Sequence, residues 1–112
     1  MDALNRRLLG EQLASPHREF YARAARAWAA SVGERVAAVA GSAPADTAAR
    51  LHELRSLSHV AGARGLAEAA AGLEQRVERG ERVGPGDVAA LAGLAERAAA
   101  DVTRWWEGHG AG

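Results

Sequence analysis

The sequence predicts an all-α fold: an up-down four-helix bundle with a short extra N-terminal helix. Three observations carry this reading. Strong helix formers dominate and no alternating β pattern occurs. Apolar residues recur at spacings of three and four. Breaks fall at Gly10 to Pro16, Gly41 to Asp46, Gly62, and Gly80 to Asp87. They are short, which favours antiparallel neighbours. The 112 residues suffice for one core, so a single domain over 1–112 is expected.

The first helix is expected over about Asp2 to Leu9, with Leu4 and Leu8 on its apolar side. Ser15 and Pro16 then read as the start of a second helix. Serine would be the N-cap, and proline would sit in the first turn, where its missing N–H costs nothing. This helix runs to about Ala40, with Phe20, Ala24, Trp28, Ser31 or Val32, and Val39 facing inward. The third spans Pro44 or Thr47 to Ala61, and the fourth Ala63 or Arg64 to about Arg79. Leu54 and Leu73 are expected in the core. After the loop GERVGPGD, Asp87 is the expected N-cap of a last helix carrying Val88, Leu91, Ala95, Ala98, Val102 and Trp105. The end, 109–112, is expected to be a disordered tail.

Composition narrows the function classes. Apolar residues make up 48% and charged residues 25%, a globular balance. The formal net charge is zero, which offers no basic field for general nucleic-acid binding. Cysteine is absent, so disulfides, thiolate metal sites and cysteine nucleophiles are excluded. No apolar run approaches the ~20 residues of a membrane span, and the N-terminus has no signal-peptide core. A cytoplasmic monomer with no membrane or nucleic-acid partner is expected.

The chemistry concentrates in LHELRSLSHVAGARGLAEAAAGLE, residues 51–74. Each helical residue advances about 100°. Leu51, Leu54, Ser58 and Ala61 therefore share one arc, which faces the core. His52, Arg55, Ser56 and His59 form a second, exposed stripe. A neutral imidazole is a nucleophile near pH 7. Once phosphorylated it carries nearly two negative charges, and a guanidinium one turn along can pair with those oxygens. His52 and His59, with Glu53, are a poor metal site, because i, i+7 side chains are about 10 Å apart along the axis. Gly84-Pro85-Gly86 is too short and misplaced for a nucleotide loop. His17 reads as a solvated helix-start residue. At Trp105-Trp106, one ring is expected to cap the core and the other to lie on the surface.

His52, Leu54, Arg55, Ser56, Ser58, Gly62, Ala63, Leu66 and the pair Leu73-Glu74 resemble the signature of the histidine-containing phosphotransfer domain of two-component phosphorelays. The likeness is close over residues 52–74, and the helix plan agrees over nearly the whole chain. The resemblance implies a phosphocarrier with no catalytic machinery of its own. His52 would be the phosphoacceptor and Arg55 would steady the phosphoryl group. The partner would be a response-regulator receiver domain, possibly with a hybrid histidine kinase. No cofactor is implied for this chain; Mg²⁺ would belong to the receiver. Two positions depart from the family: Ser56 stands where it has glycine, and His59 where it has a small residue. Both flank the nucleophile and are expected to touch the partner. The alternative is a helical protein-binding module that docks a receiver or another partner and carries no phosphate.

Overall fold

The computed structural model describes residues 2–110, and these form five α-helices and no strand. They are α1 (Arg6–Ala14), α2 (Arg18–Ala40), α3 (Pro44–Val60), α4 (Arg64–Glu78) and α5 (Pro85–Gly108). Packing runs α2 on α3, α3 on α4, α4 on α5 and α5 back on α2, while α1 packs on α2. One contiguous core draws on all five helices, with Leu9, Leu51, Leu54, Leu66, Leu91, Val102 and Trp106 fully buried.

The turns follow from glycine. Gly62 and Gly80 both have positive φ, which glycine adopts without a Cβ clash. Behind Gly62 the backbone closes two reversed bonds, Ala63 N–H to Ser58 C=O and Gly62 N–H to His59 C=O. Behind Gly80, Glu81 N–H reaches Arg76 C=O and Gly80 N–H reaches Val77 C=O. Each pair is a Schellman closure that satisfies carbonyls left over at a helix end. The first is also clamped from outside. Asn5 N–H donates to Gly62 C=O at 2.7 Å, and the buried Gln12 side chain donates to Val60 C=O at 2.9 Å.

Several boundaries and phases differ from the sequence expectation. The first helix is Arg6–Ala14 rather than Asp2–Leu9. Asn5 caps it by accepting Leu8 N–H, and Gly10 continues it because burial of Leu9 and Gln12 outweighs the glycine. Ser15 ends α1 instead of starting α2; its hydroxyl accepts His17 N–H, and α2 begins at Arg18. The buried face of α2 is Ala22, Ala25, Trp28, Val32, Val36 and Val39. Phe20 and Ala24 lie outside that arc, and Phe20 is 60% exposed. On α5 the N-cap is Gly84, and Asp87 sits three residues in, accepting Gly84 N–H at 2.9 Å. Trp106 rather than Trp105 closes the core series, and Trp105 lies edge-on to it, partly exposed. His109 stacks on Trp105 with centroids 4.1 Å apart, and its Nδ1 meets the Trp105 carbonyl. The remainder of the expected tail, 111–112, lies outside the described residues.

The two turn glycines separate conformational cost from steric cost. A Cβ on Gly62 would lie 2.8 Å from two carbons of the buried Leu9, whereas one on Gly80 meets nothing within 4 Å. Gly80→Ala is expected to cost about 1–2 kcal/mol for its left-handed backbone. Gly62→Ala adds overpacking and is expected to cost roughly 2–5 kcal/mol. Urea unfolding of the two variants side by side checks the order.

The start of α5 gives a pH dependence. The Gly84 N–H, and then the Arg76 guanidinium at 3.0 Å, hold the Asp87 carboxyl below its ordinary value. A lowered folded pKa stabilises above the unfolded value, near 3.9, and that contribution fades as pH falls through the folded value. The stability gap between wild type and Asp87→Ala is therefore expected to be widest near neutrality and to shrink as pH falls below the ordinary carboxylate range. Urea midpoints measured across pH test this.

Candidate functional site

His52 sits on the solvent side of α3. Its neighbours Leu51 and Leu54 point the other way and are 0% and 1% exposed. The helical phase read from the sequence is thus the one adopted, and the His52 side chain is 58% exposed. Because α3 and α4 fold back on each other at Gly62, a residue of α4 arrives beside it. Glu74 Oε2 lies 3.2 Å from His52 Nδ1, across 22 residues of sequence. Arg55, one turn along α3, places Nη2 2.7 Å from the same Nδ1. Its Nε stands 3.1 Å from Glu74 Oε1 as an ion pair.

The result is a triangle of imidazole, guanidinium and carboxylate. The Glu74 side chain is only 12% exposed, so its charge needs a close cation, and Arg55 supplies it. Both contacts fall on Nδ1. Nε2 has no hydrogen-bond partner among the described residues and belongs to a largely exposed ring. One ring nitrogen is held by the protein while the other is offered to solvent.

The remaining stripe residues do not join the triangle. Ser56 and His59 are exposed and line a shallow groove of about 590 Å³ between α3 and α4, together with Val60, Arg64 and Ala67. Arg55 belongs to both features. Ser56 makes no bond to the imidazole, and the His59 ring has no hydrogen-bond partner among the described residues. Val60, 58% exposed, adds an apolar rim. Glu53 pairs with Arg35 of α2 and turns away from His52. His17 occupies the N-cap position of α2 without a side-chain capping bond.

Glu74 is a site residue that lies outside the stripe, because the stripe follows α3 and Glu74 comes from α4. Its sequence signal is the Leu73-Glu74 pair: Leu73 is buried, and Glu74 beside it reaches His52 and Arg55 of α3.

Among the described residues no group of three or more His, Asp or Glu side chains is placed to hold a metal ion, and no helix is long and apolar enough to cross a membrane. Comparison with protein-family models, with curated proteins and with solved structures returns no match to this chain.

The two faces of α3 predict opposite responses to substitution. His52→Gln removes an exposed ring and is expected to change stability by no more than about 0.5 kcal/mol. Leu54→Ala empties a fully buried position two residues away and is expected to cost about 2–5 kcal/mol. Chemical denaturation of both variants distinguishes these outcomes; comparable losses would contradict an exposed role for His52.

Proposed function

We propose that the chain is a histidine phosphotransfer domain, a carrier that accepts a phosphoryl group on His52 from a receiver-domain aspartate and passes it on in a two-component phosphorelay. The observation that carries the reading is the pairing of roles on one ring: Nδ1 engaged by Arg55 and Glu74, Nε2 exposed and unpartnered. A carrier needs this asymmetry. The accepting nitrogen must be reachable from outside, and the other must be held so that the ring keeps one orientation.

The step balances simply. The Nε2 lone pair forms the N–P bond as the acyl-phosphate O–P bond of the donor breaks, and the donor carboxylate leaves. A proton on Nδ1 then faces Glu74, which stabilises the positive charge that develops on the ring. Arg55 is placed to pair with the phosphoryl oxygens, the stabilisation expected of a guanidinium beside transferring phosphate. On this reading the chain acts as substrate and product of its partner's chemistry, and activation of the donor would fall to the receiver. Mg²⁺ would be held by the receiver alone.

With this reading go the finer descriptions: an up-down four-helix bundle of α2–α5 with α1 as an extra helix, a bacterial signalling context, a cytoplasmic location, a monomer, and docking of the receiver over His52 and the adjoining groove. Ser56 and His59 would then meet the partner directly. The same two residues favour the alternative, a module that docks a receiver without carrying phosphate, since the His59 ring occupies space that the family leaves open.

Phosphorylation of the purified chain decides between them. Wild type, His52→Gln and His59→Gln are treated with phosphoramidate or a phosphorylated receiver, then read by intact mass and fragmentation at neutral or alkaline pH. One phosphoryl group, lost only in His52→Gln, is the expected result. No phosphate on any of the three, from donors that load a control carrier domain, would leave the docking module as the better reading.

A further inference from the structure

His52 Nδ1 is claimed twice. The Arg55 Nη2 donor is 2.7 Å away, and the Glu74 Oε2 acceptor is 3.2 Å away. A guanidinium can only donate and a carboxylate can only accept. A ring nitrogen carries either a lone pair or a hydrogen, so the two contacts are alternatives. The shorter one decides: at 2.7 Å a charge-assisted N–H···N bond is well formed, whereas 3.2 Å is at the outer edge for an N–H donor. In the resting chain Nδ1 therefore accepts from Arg55. A neutral imidazole has one N–H, so the proton lies on Nε2, the exposed nitrogen, and that nitrogen has no free lone pair.

We propose that Arg55 is a tautomer lock: by donating to Nδ1 it holds His52 in the Nε2–H form, and the outward nitrogen becomes nucleophilic only when an anion draws the guanidinium away and Glu74 takes the proton on Nδ1. This deepens the carrier reading, on which its consequence for phosphotransfer rests; the tautomer itself does not depend on that reading.

The geometry supplies each part of the exchange. Arg55 is 40% exposed and can turn toward an arriving phosphoryl group. Glu74 is only 12% exposed and already sits within reach of Nδ1, so it needs no rearrangement to accept the hydrogen. The proton leaves Nε2 to water and another enters at Nδ1, a shift open to a ring exposed on that side. Arg55 is also ion-paired with Glu74, its Nε 3.1 Å from Oε1 without a hydrogen bond, so the carboxylate that competes with the lock keeps it close by charge alone. The same guanidinium would suppress attack on adventitious phosphoryl donors and then stabilise the correct one. Its release would be triggered by the negative charge it is there to bind.

The test is ¹⁵N NMR of the His52 ring at about pH 8, where an ordinary imidazole is neutral. Long-range ¹H–¹⁵N correlations separate the two tautomers by which nitrogen carries the hydrogen. Wild type is expected as Nε2–H. Arg55→Met keeps the aliphatic stem and removes the donor, and is expected as Nδ1–H. Arg55→Ala guards against a packing artefact of Met and is expected to agree. Arg55→Lys, which restores a donor, is expected to move the population back toward Nε2–H. Wild type already in the Nδ1–H form, or a tautomer unchanged in both Met and Ala variants, would overturn the lock. Failure of the carrier reading looks different: the tautomers respond as described, and no variant takes up phosphate.

Discussion

The turn between α3 and α4 is the constraint on which the site depends. Gly62 reverses the chain in a left-handed conformation, and the Ser58 and His59 carbonyls are closed by the N–H groups that follow. Reversal within so few residues forces α4 to run back along α3. That alone brings Glu74 beside His52. The segment before α1 and α1 itself hold the turn in place. Asn5 and Gln12 bind its carbonyls, and Leu9 occupies the space where a Cβ on residue 62 would have to go. The short first helix is therefore tied to the chemistry, although none of its residues enters the His52 triangle.

Arginine is the residue type that the triangle requires. Its guanidinium spreads one charge over several nitrogens, so Nη2 can donate to His52 while Nε, 3.1 Å from Glu74 Oε1, forms an ion pair without a hydrogen bond. A lysine is a point charge that can neutralise Glu74 or donate to the ring, with no fixed geometry linking the two. The low exposure of Glu74 matters equally. A carboxylate in bulk water would be screened and would compete poorly for a hydrogen on imidazole. One sheltered by α3 and α4 keeps its pull.

Much of this was legible in the sequence, because α3 obeys helical periodicity without interference. Leu51, Leu54, Ser58 and Ala61 fell on the buried arc, and the stripe of His52, Arg55, Ser56 and His59 fell outside it. Periodicity misled where tertiary contacts override local preference. Gly10 looked like a break, yet it continues α1 because Leu9 and Gln12 are buried on either side of it. Phe20 falls on a series of fours with Ala24 and Trp28, but that series drifts about 40° per step and leaves the Ala22–Val39 arc before it reaches Phe20. Asp87 reads as an N-cap yet lies three positions inside α5, since a side chain that caps from within the first turn has the same sequence signal as one at the boundary. Glu74 could be placed only by knowing how α4 packs on α3, which the periodicity of either helix cannot supply.

The small residues along the α3–α4 seam complete the account. Ser58 of α3, Ala67 and Ala70 of α4, and Ala61 and Ala63 of the turn between them are all buried, and none carries more than two side-chain heavy atoms. Their size lets the two helices approach closely enough for a glutamate on one to reach an imidazole on the other. Ser58 is fully buried, and its hydroxyl has no hydrogen-bond partner among the described residues, an arrangement that costs stability relative to alanine. Its place in the seam is thus explained by volume rather than by polarity. A larger residue at that position would overpack a fully buried site four residues before the Gly62 turn.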